Sequence, residues 1–377
     1  MIYLDNSATT FPKPETVRRS LYEAVRSGAN PGRGGHPLSL KASESIFETR
    51  KTAAAFFGVG NETNVVFTLN CTMSLNIVIK GILKEGDHVV VSSLEHNSVM
   101  RPLEKLKNKG VSYTEAKVFA GDNDKTVNSF RNAINAKTRM IICTHASNVW
   151  GIRLPVERLT ALAHEYGLLM AVDAAQSAGV VPIDFCNDGF DFLCVPGHKG
   201  LYGPMGTGLL ILSDNHMPDS LIEGGTGSGS VYYEQPSVLP DRFESGTPNL
   251  YGIAALKNGM NFVSKRNIEN IAKHEFRLVQ HLYTELSRMN NVLLYTPMPE
   301  PGHFVPILSF NLKNKDSEMV AERLSRYGIA VRAGLHCSPC AHRSFGTEKV
   351  GAVRVSPSVF TKSGDIDYFV YVIKKIT

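Results

Sequence analysis

The stretch 168-LLMAVDAAQSAG-179 and the stretch 190-FDFLCVPGHKGLYGP-204 decide the fold of this chain. Each begins with a short apolar run, 168-LLMAVD-173 and 190-FDFLCV-195, and each run leads into a turn of small and polar residues. Apolar runs of four to eight residues bounded by turn residues are typical of strands buried on both faces of a parallel sheet. The two stretches therefore predict strands in the centre of such a sheet.

Similar runs extend the pattern in both directions. Further strands are predicted at 64–69, 87–93, 139–144 and 206–212, and helices at 72–83 and 155–167. The second helix has Pro155 at its start and Gly167 at its end, which are common helix boundaries. Alternating strands and helices predict an α/β fold with a mostly parallel sheet flanked by helices. In such sheets, ligands bind beyond the carboxyl ends of the strands.

The last third of the chain differs from this core. After the Gly- and Ser-rich loop 223-EGGTGSGS-230 comes a long helical pattern at 252–289. It is followed by a strand-like segment at 306–312, a helix at 317–328 and a second strand-like segment at 329–334. We therefore expect a large domain at 15–250, a smaller α+β domain at 251–377 and an N-terminal arm at 1–14.

Composition excludes several classes of protein. The 377 residues are 43% hydrophobic and 20% charged, as in ordinary globular proteins. The net charge of +5 is spread along the chain, whereas nucleic-acid binding favours clustered Lys and Arg. No apolar run has membrane-spanning length, and the N-terminus lacks the layout of a signal peptide. We expect a cytoplasmic protein in which most of the six cysteines are reduced, with no nucleic-acid partner and no membrane contact.

Chemically versatile residues follow the predicted strands. The segment 70-NCTMSLN-76 opens a helix, so it predicts either a phosphate site or a simple helix cap. His96 could stack on a flat ligand or be a structural residue. Asp173 could cap a helix or pair with a cationic ring nitrogen, since a buried carboxylate needs a partner. Lys199 could be an exposed loop lysine or form a Schiff base from a desolvated pocket.

Taken together, these four features describe one cofactor. Pyridoxal 5'-phosphate needs a phosphate site, a stacking platform, an acidic partner for its ring nitrogen and an imine-forming lysine. The chain supplies these groups at successive strand ends, so the sequence predicts a pyridoxal-phosphate site.

The sequence also resembles the class V aminotransferases, which are fold type I pyridoxal-phosphate enzymes, and among them the cysteine desulfurases and selenocysteine lyases. The resemblance runs almost end to end. Its motifs are 3-YLDNSATT-10, 95-EH-96, 147-SN-148, 172-VDAAQS-177, 197-GHK-199, 243-FESGTPN-249, 332-RAGLHC-337 and 354-RVS-356. The fold that it implies has a seven-stranded sheet in the large domain.

The resemblance implies a role for each matching residue. Lys199 resembles the Schiff-base lysine, Asp173 the partner of the ring nitrogen, and His96 the stacking residue that also serves catalysis. The other cofactor contacts implied are Asn148, Gln176, Cys71, Thr72, His198 and, from the second subunit of a homodimer, Thr247. The implied substrate-binding residues are Arg354, Arg332 and Asn148, and Cys337 resembles the nucleophile. Two residues depart from the family pattern at the phosphate end, Cys71 and Pro196.

The reaction implied is conversion of L-cysteine to L-alanine, with a persulfide left on Cys337 for an acceptor protein or thiol. Arg332 or a protonated His336 is expected to favour the Cys337 thiolate, because thiolates are stabilised by nearby cations. Selenocysteine is a further candidate substrate, and iron–sulfur cluster assembly is one candidate destination of the sulfur. The alternatives are transamination or β-elimination on another amino acid, and a non-catalytic sulfur-carrying protein.

The stretch 332-RAGLHCSPCAHR-343 also permits other interpretations. A zinc site needs about four ligands, and the chain has no second cysteine pair, so no metal site is predicted. A thioredoxin-like pair would stand near the start of a βαβ unit, which this pair does not. Cys340 is not required by the family pattern, and it could either resolve the Cys337 persulfide into a disulfide or be a bystander.

Overall fold

Three β-sheets and twelve α-helices make up the structure, a computed structural model that describes residues 1–32 and 34–376. The strands are β1 (Ile2–Tyr3), β2 (Val65–Thr68), β3 (His88–Ser92), β4 (Ser112–Ala116), β5 (Thr138–Thr144), β6 (Leu169–Asp173), β7 (Phe192–Pro196), β8 (Gly208–Leu212), β9 (Val292–Leu294), β10 (Leu308–Leu312), β11 (Ile329–Ala330) and β12 (Val353–Val355). The helices are α1 (Glu15–Ser27), α2 (Pro37–Phe56), α3 (Cys71–Ile82), α4 (Asn97–Lys107), α5 (Asn123–Ala133), α6 (Val156–Glu165), α7 (Phe185–Asp188), α8 (Leu250–Arg266), α9 (Ile268–Ser287), α10 (Ser317–Arg326), α11 (Pro339–Ser344) and α12 (Ser363–Ile376).

The central sheet has seven strands in the order β2-β8-β7-β6-β5-β3-β4. The neighbours from β7 to β4 run parallel, and β8 is antiparallel to both β7 and β2. The predicted α/β fold with a mostly parallel seven-stranded sheet is therefore confirmed. Strand β4 was not predicted, because its sequence SYTEA is polar and lies at the edge of the sheet, where alternate residues are exposed.

Both faces of this sheet are covered by apolar helix residues, as the continuous apolar strands require. Val172 and Leu193 pack in one cluster with Leu159 and Leu162 of α6. The opposite faces of the strands pack in a second cluster with α3 and α4. The strands are fixed from both sides, and so their carboxyl ends are held in register at one edge.

A third apolar cluster lies under the three-stranded antiparallel sheet β12-β10-β9. It includes residues of α9, α10 and α12 together with Leu4 of the N-terminal arm, where β1 pairs with β11. We keep the division into 15–250, 251–377 and an arm at 1–14 as a proposal. This division assigns α8 to the second domain, although α8 packs against α1 and α2.

The helical pattern predicted over 252–289 forms two helices, α8 and α9. Asn267 separates them with a φ of 66°. Its side chain accepts hydrogen bonds from the backbone N–H groups of Glu269 and Asn270 and so caps α9. Asn tolerates the left-handed region better than most residues and is a favoured cap, which explains the break. Within residues 1–32 and 34–376, no helix combines the length and the hydropathy that crossing a membrane would require.

Candidate active site

A cavity of about 220 Å³ lies at the carboxyl ends of the central strands. Its lining contains eight residues predicted for the cofactor site: Cys71, Thr72, His96, Asn148, Asp173, Gln176, His198 and Lys199. These residues are separated by up to 128 positions in the sequence, from Cys71 to Lys199. They meet because each follows or ends a strand of the same sheet, as expected for an α/β fold.

Lys199 lies in the loop between β7 and β8 and lines the cavity. Burial lowers the pKa of this amine, and the nearby Arg354 charge adds to the effect, while Asp173 opposes it. A lysine with a lowered pKa is more often uncharged and therefore nucleophilic toward an aldehyde. Lys199 is therefore not an exposed loop lysine, which was the alternative interpretation of its sequence.

Asp173 is the last residue of β6 and is 2% exposed. Its Oδ1 accepts hydrogen bonds from the backbone N–H of Ala175, at 2.9 Å, and from the thiol of Cys71, at 3.3 Å. The described residues provide no hydrogen bond to Oδ2. The Asp173 carboxylate is thus buried at the cavity wall with one oxygen left for another donor.

The first turn of α3 forms another wall of the cavity. N–H groups in the first turn of a helix have no intrahelical partners, and they favour an anion. Thr72 lies in this turn, and its hydroxyl is 2.7 Å from the Ser98 hydroxyl. Ser98 also lines the cavity, and sequence reasoning missed it, although its place two residues after His96 marks it as a helix-cap partner. The turn offers donors for a phosphate.

His96 caps α4, and its Nδ1 accepts a hydrogen bond from the Ser98 N–H at 3.0 Å. Burial lowers the pKa of His96 to about 4, so the imidazole is neutral at physiological pH. A flat, uncharged ring at the cavity wall suits stacking on an aromatic ligand. His198 is likewise kept neutral, because burial lowers its pKa to about 4, and its Nδ1 is buried without a hydrogen-bond partner among the described residues.

Asn148 and Gln176 line the cavity but are tied to neighbouring segments. The Asn148 amide donates to the His336 carbonyl at 2.8 Å and accepts from the Ser338 hydroxyl at 2.6 Å. The Gln176 amide donates to the carbonyl of Ser7 at 3.1 Å. Asn148 therefore connects the cavity to the segment 332–338, here called the cysteine loop. Gln176 connects the cavity to the N-terminal arm.

Cys337 is exposed and lines a groove of about 390 Å³. The groove shares Thr72, His96 and Ser98 with the cavity, so the thiol lies beside the cofactor site without being part of its wall. Both His336, at φ 51°, and Cys337, at φ 57°, adopt the left-handed conformation, which is strained for residues with a side chain. Strain at two consecutive residues is a feature of functional loops.

The cysteine loop is held by contacts from two sides. The Asn97 N–H donates to the Cys337 carbonyl at 2.8 Å, and Arg332 Nη2 lies 3.6 Å from the Cys337 sulfur. Arg332 is thus the cation beside the thiol, as expected. The expectation of a protonated His336 is wrong, because His336 is buried and its pKa is lowered to about 2, with the charge of Arg354 contributing.

Cys340 differs from Cys337 in its exposure and in its place in the fold. It is 2% exposed, it lies within α11, and its thiol donates to the carbonyl of Glu95 at 3.5 Å. Burial raises the pKa of the Cys340 thiol to about 11, so it is protonated at physiological pH. These properties favour a bystander over a resolving thiol. Within residues 1–32 and 34–376, no group of three or more His, Cys, Asp or Glu residues is arranged to hold a metal ion.

Arg354 lies next to the cavity but does not line it. Its guanidinium is 1% exposed and donates to Asp5 Oδ1 at 2.7 Å and to the Asn148 carbonyl at 2.8 Å. The backbone N–H of Arg354 donates to the Arg332 carbonyl at 2.8 Å, so the two arginines stand side by side. The buried Nε of Arg354 has no hydrogen-bond partner among the described residues.

Thr247 does not reach this cavity. It lines a separate pocket with other residues of the 243–249 segment and with Phe67 and Met73. That position is compatible with its predicted role, since the expected contact is with the phosphate site of a second subunit. The role stays a prediction.

The N-terminal arm makes contacts with the site that were not predicted from the sequence. Ala8 lines the cavity, and the hydroxyl of Thr9 and the amine of Lys13 donate to the carbonyl of His198, at 3.1 and 2.7 Å. Asp5 pairs with Arg354, as described above. The arm thus holds the loop that carries Lys199 in place. In the sequence, the arm is marked by the polar run 5-DNSATT-10 after a short apolar start.

The residues of the cavity fit pyridoxal phosphate. The Lys199 amine would bind its aldehyde, Asp173 Oδ2 its ring nitrogen, and His96 its ring face. The phosphate would lie at the start of α3, near Thr72 and the unpartnered Nδ1 of His198. A cavity of about 220 Å³ exceeds the share of several water molecules, so it can contain a small organic group.

Comparisons with known proteins agree with this assignment. The class V aminotransferase family model matches residues 2–369. A probable cysteine desulfurase of Methanothermobacter thermautotrophicus is 34% identical over 376 residues, covering 97% of this chain and 92% of the relative. A cysteine desulfurase of Escherichia coli O8 is 32% identical over 348 residues, covering 90% of this chain and 84% of the relative.

A solved structure extends the similarity to the fold. The apo structure of a cysteine desulfurase from Thermococcus onnurineus NA1 matches with a TM-score of 0.91 and 30% identity, covering 100% of this chain and 94% of that one. The match to the family model covers more than nine-tenths of the residues, and it confirms both the predicted resemblance and the pyridoxal-phosphate cofactor. The chain belongs to the class V aminotransferase family.

Proposed function

We infer that the protein is a pyridoxal-phosphate-dependent cysteine desulfurase, which converts L-cysteine to L-alanine and leaves the sulfur as a persulfide on Cys337. One observation carries this inference beyond the family. The exposed thiol of Cys337 lines a groove that shares three residues with the cavity of Lys199 and Asp173. A nucleophilic sulfur beside a cofactor site is what separates sulfur transfer from other reactions of this family.

The bound cofactor supplies an aldehyde that condenses with amines and a ring that accepts electrons from the substrate. Lys199 provides the amine that holds the cofactor. Because burial lowers the pKa of Lys199, its free amine can accept the Cα proton of the substrate and later return a proton. Asp173 would hold the ring nitrogen through its buried carboxylate. His96 would place a neutral ring against the cofactor face, since its pKa is lowered to about 4.

Cys337 is the sulfur acceptor in this proposal. A bond forms between the Cys337 sulfur and the substrate sulfur, the carbon–sulfur bond of the substrate breaks, and a proton takes the place of sulfur on alanine. Cysteine and one protein thiol thereby become alanine and one protein persulfide. The Arg332 guanidinium, 3.6 Å from the sulfur, favours the thiolate that attacks.

We propose Arg354 as the group that holds the substrate carboxylate, with Arg332 and Asn148 beside it. Arginine suits this role because its guanidinium binds carboxylates through two parallel hydrogen bonds. The Asp5 carboxylate already occupies Nη2 at 2.7 Å. Asp5 therefore orients the guanidinium before substrate arrives, while the Nε of Arg354 has no hydrogen-bond partner among the described residues.

The remaining proposals concern partners and location. We propose a homodimer in which Thr247 of each subunit contacts the phosphate site of the other. The persulfide passes to an acceptor protein or thiol, and selenocysteine is a second candidate substrate. Thiol chemistry at Cys337 requires reducing conditions, and all six cysteines are free, which supports the cytoplasm as the proposed location.

The experiment is incubation of the cofactor-loaded protein with L-cysteine and a reducing thiol, with alanine and sulfide measured. The wild type should release the two products in equal amounts. Cys337→Ala should lose both, and Cys340→Ala, the matched control three residues further along the chain, should retain both. A Cys337→Ala variant with wild-type turnover would instead favour transamination or β-elimination on another amino acid.

A further inference from the structure

Cys71 stands at a position where the family pattern has small residues, and its thiol reaches the Asp173 carboxylate. It is the first residue of α3, directly after the Asn70 cap, and it is 7% exposed. The Cys71 sulfur lies 3.3 Å from Asp173 Oδ1, within hydrogen-bonding distance for a thiol donor. The residue therefore links the phosphate end of the cavity to the residue proposed to bind the ring nitrogen.

Two donors converge on the same oxygen of Asp173. The Ala175 N–H, at 2.9 Å, and the Cys71 thiol, at 3.3 Å, both donate to Oδ1. The described residues donate no hydrogen bond to Oδ2. Because Oδ1 accepts two hydrogen bonds, rotation of the carboxylate about the Cβ–Cγ bond would break both of them. The direction of Oδ2 is therefore fixed.

The thiol can act only as a donor here. Burial raises the pKa of Cys71 well above its ordinary value, and the Asp173 charge raises it further. The sulfur therefore keeps its proton across the physiological range. A donor to a carboxylate stabilises the ionised form, which is the form needed beside a protonated ring nitrogen.

We propose that Cys71 is a positioning residue, whose S–H fixes Oδ1 of Asp173 so that Oδ2 meets the ring nitrogen of the cofactor. The proposal rests on the proposed function, because it assumes that Asp173 binds this nitrogen. It assigns a purpose to a residue that breaks the family pattern, and it does not require Cys71 to touch the phosphate.

Cys194 provides a matched control. It is fully buried in β7, directly opposite Asp173 in the sheet, and burial likewise raises the pKa of its thiol. No hydrogen bond joins its sulfur to the Asp173 side chain among the described residues. Cys71→Ala and Cys194→Ala thus remove the same atoms from the surroundings of Asp173, and only the first removes a donor.

The test measures the ring nitrogen itself. The wild type and the variants are loaded with pyridoxal phosphate labelled with ¹⁵N in the ring, and the ¹⁵N chemical shift of the bound cofactor is recorded. We expect Cys71→Ala to move the shift and Cys71→Ser, which restores a hydroxyl donor, to return it toward the wild-type value. Cys194→Ala should leave it unchanged. Affinity for the cofactor, titrated after its removal, should fall about threefold to tenfold in Cys71→Ala, as expected for one lost hydrogen bond.

The background variant Asp173→Asn separates the possible failures. In that background, adding Cys71→Ala should cause no further loss of cofactor affinity. Equal shifts in the wild type and Cys71→Ala would overturn the role of Cys71 alone. An unchanged shift in Asp173→Asn would overturn the proposed role of Asp173, and a wild type that binds no pyridoxal phosphate would overturn the proposed function as well.

Discussion

The ion pair between Asp5 and Arg354 should be one of the strongest single contacts between the N-terminal arm and the rest of the chain. The Arg354 side chain is 1% exposed, and the Asp5 side chain is 19% exposed. Removing one partner of a buried pair leaves the other charge without compensation, which costs several kcal/mol. We expect Asp5→Ala to lower the free energy of unfolding by about 3 kcal/mol, toward the low end for buried pairs because Asp5 retains some contact with water.

The loss should depend on Arg354. In an Arg354→Met background, the buried guanidinium that Asp5 neutralises is absent, so Asp5→Ala should cost less than about 1 kcal/mol there. Asp5→Asn should be intermediate in the wild-type background, since it keeps an oxygen acceptor and loses the charge. The two single variants and the double variant therefore form a cycle with a coupling energy of about 2 kcal/mol.

Urea unfolding of the four proteins, followed by circular dichroism, measures this coupling. The slopes of the unfolding transitions must agree among the variants for the free energies to be compared. The reasoning would be refuted if the cost of Asp5→Ala agreed within about 0.5 kcal/mol in the two backgrounds. The interaction between Asp5 and Arg354 would then make no measurable contribution to stability.

Three further predictions follow from the same contacts. Asn267→Ala should destabilise the protein by about 2 kcal/mol, because alanine neither caps α9 nor tolerates the left-handed conformation. Asn267→Gly should cost only a few tenths of a kcal/mol, and equal losses of the two variants in urea unfolding would contradict this. Burial raises the pKa of Glu95 to about 8, so the folded state keeps a proton that the unfolded state releases near pH 4.5. The stability of the wild type relative to Glu95→Gln should therefore fall by at least about 1 kcal/mol from pH 5 to pH 8, and a constant difference would count against it. Cys340→Ala should leave the lifetime of the Cys337 persulfide unchanged, whereas a longer lifetime would identify Cys340 as a resolving thiol.

Much of the fold was predictable because its strands are apolar on both faces. The runs that became β6 and β7 are mostly apolar, and so both their positions and the sheet type could be predicted from the sequence. Strand β4 and the break at Asn267 could not be predicted from the sequence. The first has a polar sequence at a sheet edge, and the second depends on one residue's backbone conformation.

The cofactor site was predictable in its parts because strand ends meet at one edge of a parallel sheet. Asp173 and Lys199 could be identified for that reason. Contacts between distant segments could not be, since no local pattern indicates that Cys71 donates to Asp173 or that Asp5 holds Arg354. The state of His336 was mispredicted for a related reason, because its burial arises from tertiary packing that the loop sequence does not reveal.

The central claim is that Cys337 takes the sulfur of cysteine. The most direct measurement is the intact mass of the cofactor-loaded protein, and of its Cys337 peptide, after mixing with one equivalent of ³⁴S-labelled L-cysteine in the absence of reducing thiol. The account predicts one labelled sulfur on Cys337, an equal amount of alanine, and no label on Cys340. Alanine formed without labelled sulfur on Cys337, or label carried by another cysteine, would contradict it.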